Sequence, residues 1–180
     1  MPVRAFVALP LPPGHRAALA GYLETCARLA PGLRWVPAEN LHLTLRFLGA
    51  TDPERLEALR VELARVRLPG FELALGGLGA FGGSSPRVVW LGLAGGEEQA
   101  RRLAEAVEAA CVAAGAAPEE RPFRPHLTLA RARDRKPEAL PGLPPPPALE
   151  PWRADRFALY ESRLGGGPAR YLELAGYRLG

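Results

Sequence analysis

His42-Leu43-Thr44-Leu45 and, further along, His126-Leu127-Thr128-Leu129 decide how this 180-residue chain is read. The chain has three histidines, and two of them stand in this one repeated setting. On a β-strand successive side chains point to opposite faces, so in each copy His and Thr share one face and the leucines share the other. One face suits burial, and the other carries an imidazole and a hydroxyl. Two copies supply the two halves of an acid–base site. In the first strand Leu41, Leu43, Leu45 and Phe47 fall on the apolar face, and His42, Thr44 and Arg46 on the polar one. In the second, Leu127 and Leu129 oppose His126 and Thr128.

The first copy is preceded by a strand over residues 3–9, stopped by Pro10-Leu11-Pro12-Pro13, and by a helix over 14–29, stopped by Pro31-Gly32. After it, Thr51-Asp52-Pro53 caps a helix over 53–67, with Leu56, Leu59 and Leu63 at helical spacing. Residues 71–81 and 87–93 read as strands joined by the turn Gly82-Gly83-Ser84-Ser85-Pro86. The second copy, on a strand over 123–131, follows a helix over 97–114 with Leu103, Val107 and Cys111 four apart. A proline-rich connector over 137–151 leads to closing strands over 156–164 and 170–179. A helix followed by a His-x-Thr strand thus occurs twice. The reading is an α+β fold with antiparallel sheets, arranged as two related lobes, between which the chain is free to cross, in a single domain over residues 1–180.

Composition narrows the class. An apolar fraction of 48% and a charged fraction of 23% are those of an ordinary globular protein. No apolar run approaches the roughly 20 residues of a membrane span, and the first residues lack the pattern of a signal peptide, so the expected location is the cytoplasm and no membrane partner is expected. Cys26 and Cys111, far apart on alanine-rich helices, read as small buried apolar residues. Of the 23 basic residues one, Lys136, is lysine and the rest are arginine, giving a net charge of +4. Arginine's planar fork suits phosphate. The balance permits a nucleic-acid partner without identifying it, because a GC-rich genome also favours arginine.

A lone histidine on a strand is more often structural than catalytic. Repetition reverses that, because no packing rule asks for two matched His-Thr pairs. Two histidines serve concerted general acid–base catalysis, one neutral imidazole taking a proton while a protonated one gives it. In a phosphodiester displacement the base activates water and the acid protonates the departing oxygen. Thr44 and Thr128 would hydrogen-bond the non-bridging oxygens while an arginine offsets their charge. No cofactor or metal is called for: there is no H-E-x-x-H, no G-x-S-x-G elbow, and Gly76–Gly83 lacks the lysine of a phosphate loop. That glycine-rich run reads as a flexible hairpin, Pro144–Pro147 as a surface connector and His15 as a solvated residue.

The paired His-x-Thr motifs resemble those of the 2H phosphoesterase superfamily. Their flanks resemble its RNA 2',3'-cyclic phosphodiesterase branch, also called 2'-5' RNA ligases. The matching stretches are residues 4–9, Trp35-Val36-Pro37-Ala38-Glu39-Asn40 leading into the first motif, Arg46-Phe47-Leu48-Gly49 after it, Phe123-Arg124-Pro125 and Ala130-Arg131 around the second, and Leu159-Tyr160-Glu161-Ser162 near the end. The resemblance implies two pseudo-symmetric lobes, each an antiparallel sheet with helices on its outer face, enclosing a central cleft with one His-x-Thr on each side. It implies hydrolysis of RNA 2',3'-cyclic phosphate ends to 2'-phosphomonoesters without a metal, by a monomer, with His42 as proton donor and His126 as proton acceptor. The reverse 2'-5' joining of tRNA halves is associated with the family. The family pattern points to Arg131 as a phosphate contact. Strand parity groups Arg131 with the buried leucines and favours Arg46, so Arg131 reaches the cleft only if the strand ends or bulges after Leu129. Two alternatives stand beside the enzyme: a non-catalytic RNA- or nucleotide-binding module, and a cyclic phosphodiesterase acting on a small nucleotide.

Overall fold

Nine strands and three α-helices are formed among the described residues of the computed structural model, which are 1–83, 85–133 and 139–180. Pro10 ends β1 (Val3–Pro10), and the fixed φ of Pro13 opens α1 (Pro13–Leu29). A short β2 (Leu33–Trp35) and a 3-10 turn at Ala38–Asn40 lead into β3 (His42–Thr51). The side chain of Asp52 accepts a hydrogen bond from the Arg55 amide at 2.8 Å, capping α2 (Pro53–Leu63). The hairpin of β4 (Phe71–Phe81) and β5 (Val88–Gly95) precedes α3 (Glu97–Ala113). Between them Gly96 sits at φ +80°, where a Cβ would run into the Glu72 carbonyl. Then come β6 (Leu127–Ala132), β7 (Trp152–Ala154), β8 (Arg156–Arg163) and β9 (Arg170–Arg178).

All strand pairs are antiparallel, in the order β7-β4-β5-β6-β3-β1-β8-β9, with β2 beside β6. The two motif strands, β3 and β6, meet at the centre through the pair Leu43 and Leu127. On either side of this seam lies one half of the sheet, and each half is covered by helix. The apolar face of α1 (Leu19, Tyr22, Leu23 and Cys26, at i, i+3, i+4 and i+7) packs on Leu91, Leu127 and Leu129 of β5 and β6. Leu59 and Leu63 of α2 and Leu103, Val107 and Cys111 of α3 pack on Val7, Leu43, Leu45, Phe157 and Leu159 of β1, β3 and β8. The helix that follows the first strand therefore covers the half built from later strands, so the chain crosses between lobes. Both cysteines are buried and free.

Several expectations shift in detail. The second motif strand begins only at Leu127, because Pro125 breaks the ladder ahead of it. Three-residue β2 and β7 are too short to show a period. His15 is tied down: its Nε2 lies 2.7 Å from the Glu150 carbonyl and its ring meets Trp152 edge to face. The described part of the proline-rich connector is likewise anchored, the Tyr22 hydroxyl donating to the Pro144 carbonyl at 2.9 Å. Lys136 lies outside the described residues. No described helix is long and apolar enough to cross a membrane.

Candidate active site

His42 opens β3 and His126 immediately precedes β6. Continuing the antiparallel register from Leu43 and Leu127 by one residue each way sets His42 opposite Thr128, and Thr44 opposite His126. The four polar residues of the two motifs thus share one face of adjacent strands. The register also builds a local pseudo-two-fold, each lobe offering one imidazole and one hydroxyl.

Both imidazoles are oriented by the same device. Nδ1 of His42 lies 2.7 Å from the carbonyl of Asn40, two residues earlier, and Nδ1 of His126 lies 2.5 Å from the carbonyl of Arg124, again two residues earlier. A carbonyl only accepts, so Nδ1–H is the donor in each ring, and in the neutral form Nε2 keeps its lone pair. Asn40 is itself buried and donates through Nδ2 to the Ala169 carbonyl at 2.6 Å, which fixes the turn from which His42 hangs.

Aromatic rings buttress the pair. Phe6 lies 4.7 Å from the His42 ring and Tyr171 meets it edge to face at 5.1 Å; Phe6 also stacks on Tyr160. On the other side Phe81 meets His126 edge to face at 5.3 Å, with Trp90 at 6.3 Å. Trp90 in turn lies over Gly79, where any Cβ would collide with the indole. The glycine-rich run is thus partly strand, and Gly79 makes room for a ring beside the site. Burial pushes the His42 imidazole down to about 4, with the guanidiniums of Arg131 and then Arg16 adding to it. Burial, and then Arg131, lowers His126 as well.

Arg131 therefore acts on both histidines, and its position follows from a bulge. Between β5 and β6 the register steps from Val89 opposite Ala130 to Trp90 opposite Thr128, leaving Leu129 unpaired. Leu129 and Ala130 are both buried, and Arg131 returns to the face of Thr128. Arg46 goes the other way. The β1–β3 register steps from Val7 opposite Arg46 to Ala8 opposite Thr44, so Leu45 and Arg46 both turn to the helix side. There Arg46, with its side chain only 10% exposed, meets Glu108 at 2.5 Å and Glu119 at 3.4 Å and donates to the Ala117 carbonyl at 2.5 Å. Strand parity is corrected at both positions by the same physical cause.

A cavity of about 680 Å³, which neither histidine lines, is walled by Arg131, Arg34, Arg4, Phe6, Phe47 and Tyr171 among others. A smaller one of about 310 Å³ lies at His42, with Arg16, Arg156, Tyr160 and Glu173. Phe6, Asn40 and Tyr171 border both, whereas His126 lines neither and stands against Phe81 and Trp90. Among the described residues no cluster of three or more His, Cys, Asp or Glu could hold a metal ion. The residues that sequence reasoning missed are Asn40, Phe81, Trp90 and Tyr171, along with the part played by Phe6. An aromatic in a strand reads as core, and only the fold shows which ring faces a histidine.

Residues 12–166 match the model of the 2'-5' RNA ligase superfamily. The chain belongs to this family. The RNA 2',3'-cyclic phosphodiesterase of Escherichia coli is 36% identical over 99% of this chain and 97% of its own. The enzyme of that name from Thermus thermophilus is 38% identical over 90% of this chain and 83% of its own. Among solved structures, E. coli LigT complexed with 3'-AMP superposes with a TM-score of 0.85 at 34% identity, covering 99% of both chains. LigT complexed with phosphate superposes at 0.78, with 32% identity over 99% of this chain and 98% of that one. The superfamily resemblance and the α+β, two-lobed antiparallel architecture both hold.

Proposed function

We propose that this protein is a hydrolase that opens RNA 2',3'-cyclic phosphate ends to 2'-phosphomonoesters by acid–base catalysis between His42 and His126. The observation that carries the reading is the matched pair. Two imidazoles at the starts of adjacent strands each keep Nε2 available by donating Nδ1–H to a carbonyl two residues earlier, and Arg131 acts on both. The relatives bearing the name RNA 2',3'-cyclic phosphodiesterase support the substrate, as do the 3'-AMP and phosphate complexes of LigT.

In this reading Nε2 of His126 takes a proton from water as its oxygen attacks phosphorus. The bond from phosphorus to the 3' oxygen breaks, and Nε2–H of His42 gives that oxygen its proton. The 2' oxygen keeps the phosphate. The negative charge building on the non-bridging oxygens is met by Arg131 and by the Thr44 and Thr128 hydroxyls. The division of roles agrees with burial: the more depressed His42 is the stronger acid when protonated, and the less buried His126 the better base. Burial and Arg131 favour the neutral form of both rings before substrate binds. The substrate's own phosphate anion raises both and lets His42 hold a proton.

Incubation with an oligoribonucleotide ending in a 2',3'-cyclic phosphate, in excess EDTA, tests the proposal. The expected product carries a 2'-monoester. Unchanged substrate, or activity that chelation abolishes, would sink it. Incubating the 2'-phosphomonoester product of one strand with a 5'-hydroxyl strand would show whether 2'-5' joining accompanies hydrolysis.

A further inference from the structure

We propose that the larger cavity is a tract for the RNA strand leading into the cyclic end, with Arg34 holding the phosphodiester next to the reacting one and Arg4 extending the line. The inference rests on the proposed function, since it assumes that a cyclic phosphate sits at the histidine pair. A cyclic phosphate closes a 3' end, so the rest of an RNA substrate lies only on its 5' side and must leave the cleft in one direction.

The register of β2 on β6 places Arg34 directly opposite Arg131. Both side chains line the larger cavity, together with Arg4. Like charges directly opposite on neighbouring strands repel, which a fold tolerates where an anion comes between them. Among the described residues no carboxylate lines this cavity, and none forms an ion pair with Arg4, Arg34 or Arg131. The smaller cavity differs, because there Arg156 is paired with Glu173.

Arg131, turned by the bulge to the face of Thr128, is the arginine of this row that serves the reacting phosphate. Arg34 stands one strand further out, at a spacing of about 4.8 Å. A ligand with a single phosphate engages Arg131 and leaves Arg34 unused. Phe47, 49% exposed, gives the same wall an aromatic face. A cationic groove with an exposed ring is how single-stranded nucleic acid is held without sequence preference.

The test compares a nucleoside 2',3'-cyclic monophosphate with a trinucleotide ending in a cyclic phosphate. The intact protein is expected to show the higher kcat/KM on the trinucleotide. In Arg34→Gln the ratio of the two values should fall about tenfold, the size of one lost charged hydrogen bond. The slope of log kcat/KM for the trinucleotide against log salt should become shallower by about 1. Arg4→Gln, on a different strand, should lower the ratio in the same direction and serves if the first variant is misfolded. Equal kcat/KM on both substrates, or equal losses on both in the variants, would overturn the tract while leaving the hydrolase intact. Turnover of neither substrate by the intact protein would overturn the function and the tract together.

Discussion

The histidines carry most of the testable chemistry at the residue scale. In the proposed mechanism the working form has His126 neutral and His42 protonated, so kcat/KM should fall at low pH as His126 takes a proton and at higher pH as His42 loses one. Both imidazoles are depressed in the free protein. The kcat/KM bell should therefore lie on the acid side of 6.5, with the kcat bell displaced upward by the bound phosphate. His126→Ala should lose the acid limb and His42→Ala the alkaline one, each with a rate loss of about 10²–10⁴-fold. A full rate in either variant would remove that histidine from the mechanism.

His42 also links stability to pH. Its value of about 4 when folded lies below the ordinary 6.5, so between these limits the unfolded chain binds more protons and stability rises with pH. Acidification through that window should cost on the order of 3 kcal/mol from this one group. Urea titrations at pH 7 and pH 4.5 would measure it. The acid loss should be smaller in His42→Gln; an unchanged difference would contradict the assignment.

At the scale of elements, the bulges separate two arginines that look alike in the sequence. Arg46→Ala removes a guanidinium held by Glu108 and Glu119 and leaves the partly buried Glu108 carboxylate without its partner, so it should cost about 2 kcal/mol in stability with turnover per folded molecule retained. Arg131→Ala should do the reverse, keeping the melting temperature and losing rate while raising the pKa of both histidines. Thermal melts run beside initial rates would distinguish them, and equal effects on both readouts would contradict the placement. The bulge in β6 was legible only as the condition for Arg131 to reach the cleft, and the one in β3 was not legible, because Leu45-Arg46-Phe47-Leu48 goes on looking like a strand whichever way each residue turns. The alternation did expose β3. The three-residue β2, which brings Arg34 to the cavity, is too short for any period to reveal.

On the scale of the whole molecule, the repeat was legible and the wiring was not. His42 and His126 announced two halves, but nothing in the spacing said that α1 would cover the half built from β5 and β6. One consequence concerns fragments. Residues 1–83 alone leave Leu19, Leu23 and Cys26 without Leu91, Leu127 and Leu129 to pack on. The fragment should lack cooperative thermal unfolding by circular dichroism, whereas two self-contained lobes would give a folded half. Leu103→Ala, deep in the other core, should destabilise the protein by about 2–5 kcal/mol.

The seam between β3 and β6 has a bearing on tolerance to mutation. Because His42 opens β3 and His126 leads directly into β6 of the same ladder, their separation is inherited from backbone hydrogen bonding and not from how the cores beneath are filled. It can change only in whole steps of register, and a single step would turn every leucine of a motif outward. The chemistry is thereby insulated from gradual drift in the interior. Helices and core side chains can be exchanged at a cost in stability while the two imidazoles keep their distance.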